Sequence, residues 1–221
     1  MLALLLIISV GLIFGLARPS TLAINRDKQT AAALAMAKDA LIGRAATDTT
    51  IPGSLPCPDA VTNIPGINVP NDGIADLFAG SNCPSYIGRL PWRTLVLPDL
   101  RDGSGERLWY ALSPNFRDHP SAQPINSDTK GNITVYADST AATLTNEAVA
   151  VIFAPGAALG TQNRDTTTSA LCPTTGTTIA LNLCAANYLE TTGGVNNATT
   201  NGPFIQAQSS GTFNDRLLVI T

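Results

Sequence analysis

Residues 1–17, MLALLLIISVGLIFGLA, form an unbroken apolar run without a charged side chain. That length sits at the lower limit for a helix that crosses a bilayer, about 17–25 residues. Arg18 and Pro19 follow, and then the pattern changes. In NRDKQTAAALAMAKDALIGRAATD, residues 25–48, Leu34, Ala37, Leu41 and Ala45 recur at three- and four-residue spacing. Such spacing marks one face of a helix. Arg26, Lys38 and Arg44 fall elsewhere, and the stretch is rich in strong helix formers. Together the two stretches predict one helix from about residue 2 to 47, kinked rather than ended at Pro19. It would be roughly 70 Å long at 1.5 Å per residue. A domain of this size needs nothing so long, so the front half is expected to sit in lipid or against copies of itself.

Beyond residue 48 the helical period disappears. Residues 50–106 are dense in Pro and Gly, which punctuate turns, and predict a long ordered loop. Four runs with β-branched or aromatic enrichment then predict strands: RLWYAL (107–112), NITVYA (132–137), AVAVIFA (148–154) and RLLVIT (216–221). VAVIFAP is continuously apolar and is expected at the centre of a sheet. NITVYA alternates better and is expected nearer an edge. In RLWYAL, Leu108, Tyr110 and Leu112 point one way and Trp109 and Ala111 the other, so both faces should be covered. ALNLCAANYLE (180–190) suggests a short helix within a Thr/Asn/Gly-rich stretch, 160–212. Strands after a helix, without β–α alternation, predict an α+β fold: a long N-terminal helix packed on a small antiparallel β-sheet domain with long stapled loops. The expected division is 1–17, 18–48 and 49–221.

Composition changes the picture in one respect. The 221 residues are 44% hydrophobic but only 13% charged, against about 25% in typical globular chains. Thr, Ala, Asn, Ser and Gly fill the difference, which suits an exported domain. A net charge of −3 offers no basic field to nucleic acid. The cysteines are Cys57, Cys83, Cys172 and Cys184, with no CxxC pair, and the one histidine is His119. Zinc sites favour closer Cys/His spacing. An even cysteine count in an exported chain suggests disulfides. Of three connectivities the local one, Cys57–Cys83 with Cys172–Cys184, closes the shortest loops. Four buried thiols are the alternative.

The layout resembles the type IV pilin-like proteins: pilins, minor pilins and the pseudopilins of type II secretion. AAALAMAKDALIGRAATD followed by IPGSLPCPD looks like that family's passage from helix into its first loop. GRLPWRTLVLPDLRDGSGERLWYAL and VAVIFAPG are similar to a subgroup of pilin-like proteins from Gram-negative bacteria. The resemblance implies an inner-membrane, single-pass anchor with the C-terminal domain periplasmic or extracellular. It implies copies of the chain or other pilin-like subunits as partners, together with inner-membrane lipid. Leu4, Leu5, Ile8 and Leu12 would then contact neighbouring helices. The basic leader, the Gly–Phe-type processing site and the glutamate at the fifth mature position are not in this sequence. Arg18 and Arg26 follow the apolar run and no Lys or Arg precedes it, which disfavours an N-inside orientation. A true start upstream of Met1 is expected to account for both, and DRLLVIT, ending within an apolar run, suggests a continuation there too. A cleaved signal peptide fits less well, for want of a basic n-region and a good cleavage site.

Two stretches carry candidate chemistry. LPDLRDGSGERLWYAL (97–112) crowds Asp99, Arg101, Asp102, Glu106 and Arg107 around Gly103 and Gly105. A Ser–His–Asp hydrolase would need His119, and Gly103–Ser104–Gly105 is a turn rather than a GxSxG elbow. Asp102 with Glu106 as paired glycosidase carboxylates lacks the aromatics to line a sugar cleft. Arginine forks bridge carboxylates bidentately. The stretch therefore reads first as a salt-bridged loop and second as a subunit-contact surface formed by Arg101, Asp102, Glu106 and Arg107. VPNDGIAD (69–76) sets Asn71, Asp72 and Asp76 around Gly73, oxygen ligands of the kind calcium takes, with Asp59 as a further ligand if the loop folds back. The plain alternative is an Asx-turn before a helix start. No other cofactor is expected. The sequence thus predicts a non-enzymatic pilin-like structural subunit of a type IV pilus or type II secretion pseudopilus. Its rivals are a membrane-anchored extracytoplasmic binding or adhesin domain that does not polymerise, and a secreted enzyme.

Overall fold

In the computed structural model of the chain, the described residues are 19–60, 69–78, 80–120 and 122–221. The apolar run 1–17, and with it Leu4, Leu5, Ile8 and Leu12, lies outside them. Helix α1 spans Pro19–Thr47. The stripe predicted from spacing is its buried face: Leu34, Ala37 and Leu41 are buried, joined by Thr30 and Ala33. Residues 21–29 are exposed throughout, Leu22 and Ile24 included. No helix among the described residues is long and apolar enough to cross a membrane.

Arg44 ends the helix where a cation suits the negative end of its dipole. Its guanidinium pairs with Asp48 at 2.9 Å and Asp118 at 2.7 Å. Asp48 also accepts the backbone N–H groups of Ile51 and Thr50, which hold its carboxyl below the usual range. The chain therefore leaves the helix through a hydrogen-bonded turn already tied to residue 118.

The strands in chain order are β1 (Ile87–Arg89), β2 (Trp109–Leu112), β3 (Ile133–Tyr136), β4 (Thr143–Ala148), β5 (Ala150–Ala154), β6 (Ser169–Cys172), β7 (Thr177–Ala180), β8 (Thr191–Thr192), β9 (Val195–Asn196), β10 (Phe204–Ile205) and β11 (Arg216–Ile220). The main sheet runs β1–β2–β5–β11, antiparallel throughout. β5, from the continuous apolar run, is central and wholly buried. A second sheet runs β10–β3–β4, and two hairpins, β6–β7 and β8–β9, complete the fold.

Side-chain alternation splits the core in two. Leu108, Tyr110, Leu112, Ala150 and Ile152 face α1 and pack on Leu34, Ala37 and Leu41. Trp109, Ala111, Val151 and Phe153 face the other way, onto Ile133, Val135, Tyr188 and Phe204. The α+β class, the helix-on-sheet packing and the double cover of β2 follow the sequence reading, and Cys57–Cys83 and Cys172–Cys184 are the disulfides.

Three expectations change. NITVYA is not near an edge: β3 lies between β4 and β10, because β10 approaches it parallel, pairing Phe204 with Val135. The short helix in 180–190 is two 3₁₀ turns, Leu181–Leu183 and Ala185–Asn187, joined at Cys184, whose disulfide and extended backbone interrupt a regular helix. The long loop 50–106 contains β1, paired to β2 on one side and bridged to Asp59 on the other.

Candidate functional site

The charged stretch 97–112 closes on itself and on the helix. Asp99 is its hub. Its Oδ1 accepts from Arg107 Nε at 2.8 Å, and its Oδ2 accepts from Arg107 at 3.0 Å and Arg101 at 2.7 Å. Burial opposes the charge on Asp99, but the bonds from Arg107 and Arg101 outweigh it and keep the carboxyl below its ordinary value. A short bridge between Arg101 and Arg107 closes the loop at its base.

Asp102 turns inward. It is 1% exposed. Its Oδ1 accepts the N–H groups of Ser104 and Glu106, and its Oδ2 accepts that of Gly156 in the loop after β5. The Asp102 carbonyl accepts from Gln29, and Gly103 N–H donates to Thr30 Oγ1, so the Gly-Ser-Gly turn is docked on α1. A Cβ on Gly103 would lie 2.2 Å from the Arg26 carbonyl oxygen, which is why glycine stands at this contact. Glu106 pairs with Arg164 at 2.9 Å. Arg101, Asp102, Glu106 and Arg107 thus all have partners within the chain.

Asp59 organises the turn around Gly73. It is 1% exposed and accepts the N–H groups of Asn71 and Gly73 at 2.7 Å each. Burial nevertheless pushes its carboxyl up to about 7, with the charges of Asp76 and Asp72 adding to the effect. Asp72 Oδ1 accepts from Ile74 N–H, an Asx-turn, and residues 75–78 after it are not helical. Asp76 accepts the N–H of Ala60. The Asn71 side-chain oxygen accepts from Arg107 at 2.8 Å, so a cation already occupies that ligand. Among the described residues no group of three or more His, Cys, Asp or Glu is arranged to hold a metal ion. His119 lies edge-on to Phe78, with ring centroids 4.4 Å apart.

Three neighbours of this cluster were not visible in the sequence pattern. Arg89, in β1, is 3% exposed. Its guanidinium carbon lies 4.3 Å from the Trp109 ring centroid and 4.0 Å from that of Tyr188. It donates to the carbonyl oxygens of Arg107 and Asn182, while Nε has no partner among the described residues. Burial lowers it to about 10, so it stays charged at neutral pH. Arg164 lies over the same Tyr188 ring at 4.4 Å. Tyr188 and Arg164 lie too far along the chain for spacing to connect them with 97–112. The apolar–charged mixture GRLPWR was the only local sign of Arg89.

A second buried charge network lies at the start of β11. Asp215 Oδ2 accepts from Glu190 N–H and from Asn197 Nδ2, each at 2.9 Å. Glu190 accepts in return from the backbone of Asn214 and Asp215. Burial, and then the nearby Glu190 carboxylate, push Asp215 well above the usual range. All these contacts join the segment 190–197, which carries the β8–β9 hairpin, to residues 214–215 ahead of β11.

Compared with known proteins, no family model, no curated protein and no solved structure matches the chain.

Proposed function

We propose that the chain is a non-enzymatic, pilin-like structural subunit, held in the inner membrane by its N-terminal run until it is assembled into a pilus or secretion pseudopilus. One observation carries this reading. α1 seats its rear on the β-domain, while residues 21–29, though Arg26, Asp27 and Gln29 touch Gly103, Arg216 and Asp102, stand exposed and follow, after Arg18, Pro19 and Ser20, a run of seventeen uncharged residues. A helix built only to cover a sheet has no use for exposed apolar side chains such as Leu22 and Ile24 at its front. In a filament that front, with Leu22 and Ile24, lies against neighbouring helices, and lipid around residues 2–16 is exchanged for protein.

The mechanism is non-covalent. The rear face of α1, through Leu34, Ala37 and Leu41, fixes the β-domain to the helix. The Gln29–Asp102 and Thr30–Gly103 bonds lock it at the front of that contact. A pull on the helix would therefore move the domain as one body. Single cysteines placed at Leu4, Leu5, Ile8 and Leu12 test the idea in cells that assemble such fibres. A ladder of crosslinked multimers is the expected result. Monomers at every position would refute the assembly reading and favour the anchored, non-polymerising domain.

A further inference from the structure

A cavity of about 250 Å³ lies beside β1, lined by Asn71, Arg89, Arg101, Glu106, Arg107 and Tyr188. Three guanidiniums meet there. Two carboxylates are close: Asp99, which Arg101 and Arg107 share, and Glu106, which Arg164 neutralises. Four arginines against two carboxylates leave the neighbourhood positive in a chain whose overall charge is −3.

Arg89 is the unusual member. Among the described residues no carboxylate lies within ion-pair distance of it, and its partners in the fold are two carbonyl oxygens and two aromatic rings. A buried cation whose one nearby carboxylate, Glu106, acts only from beyond ion-pair distance and is already paired with Arg164 is costly to hold. A fold that needed only packing here would do better with an apolar side chain. Trp109 and Tyr188 instead pack against the guanidinium, so little side-chain freedom remains to be lost on binding.

Each guanidinium carries five N–H donors in a fork that matches carboxylate and phosphate oxygens. On Arg89, Arg101 and Arg107 the bonds to the described residues leave at least one N–H each without an acceptor among them. The volume is below the range of about 300–1,000 Å³ typical for larger ligands. Glu106 on the wall is paired with Arg164 and can still accept from a ligand hydroxyl.

We propose that this cavity binds a small oxyanion, of the carboxylate or phosphate type, in the unfilled fork of Arg89, Arg101 and Arg107. The inference does not rest on the assembly reading and holds for a chain that never polymerises.

The two tryptophans of the chain are Trp92 and Trp109; Trp109 stacks on Arg89, and Arg107 lies 6.0 Å from the Trp92 ring centroid. Intrinsic fluorescence therefore reads the site. The full chain, in non-ionic detergent, is titrated with inorganic phosphate and separately with acetate, each against sodium chloride of equal ionic strength. A saturable change with at least one of the two is expected, and which one responds separates the tetrahedral from the planar anion. Arg101→Gln removes a half-exposed guanidinium and should fold. It should weaken binding about tenfold, the weight of one charge-assisted hydrogen bond. Lys130→Gln, whose lysine pairs with Glu147 beside β4, should leave binding unchanged. No saturable change with either anion overturns the proposal. So does binding that Arg101→Gln leaves intact, or that Lys130→Gln weakens as much.

Discussion

At Asp102 both carboxylate oxygens accept backbone N–H groups, from Ser104, Glu106 and Gly156, in a residue that is 1% exposed. Asp102→Ala would leave three donors without that acceptor. The expected loss is about 3 kcal/mol, or a drop of roughly 6–12 °C in Tm for a chain of this size. Arg101→Ala removes a half-exposed pair and should cost less than about 1 kcal/mol. Thermal unfolding followed by circular dichroism compares them, and equal losses would show that the buried bonds are not the anchor. The pairing of arginines with carboxylates in 97–112 was legible in the sequence, since both charges sit around a glycine turn. What was not legible was direction. Asp102 and Glu106 look alike in the sequence, yet one is sealed between a turn and β5 while the other reaches Arg164. That difference depends on what the tertiary fold brings alongside.

Among the elements, α1 was the most legible, because a 3.6-residue period selects one face whatever lies opposite. Ala37 sits at the centre of that face with 0% exposure. Ala37→Leu should overpack the contact with β5 and cost about 1–3 kcal/mol, whereas Met36→Leu on the exposed face should change stability little. If the two behave alike in denaturant unfolding, the helix is not seated on the sheet as described. The disulfides were legible for a related reason, since close sequence spacing makes short loops probable partners. Removing Cys57–Cys83 as a double serine variant should cost about 3 kcal/mol. Removing Cys172–Cys184 should cost less, because 12 residues separate that pair against 26 for the first. A reversed order would mean that loop-closure entropy is not what governs the difference. The neighbours of β3 could not be read, because β10 is two residues long and pairs with it from far along the chain.

For the whole molecule, the buried carboxylates set a pH dependence. Asp59, at about 7, and Asp215, raised by burial, bind protons more tightly when folded than when unfolded. For Asp59 the unfolded chain releases its proton near pH 4, so stability declines as pH rises from there to about 7. Asp215 acts in the same sense. Asp48 and Asp99 have the opposite sign: their folded values are depressed, so their contribution is present above the unfolded value and is lost as pH falls through the folded one. The two sets predict greatest stability near the unfolded carboxylate value, about pH 4, with a fall on either side. Urea unfolding from pH 3 to pH 8 checks this, and a midpoint still climbing from pH 6 to pH 8 would rule it out.

The sequence by itself determined the class of fold, the buried stripe of α1, three of the four strands of the main sheet and the two-sided burial of β2, and it favoured the local pairing of cysteines. Each of these rests on a local period or a short separation, which the chain carries wherever it goes. Only the tertiary structure decided that Arg89 would lie against both Trp109 and Tyr188, that Asp102 would face inward, and that Asn71 would be taken up by Arg107. Those outcomes depend on residues far apart in the chain meeting across a sheet. The energy that fixes them is the desolvation of charge, which has no value until the surrounding fold exists.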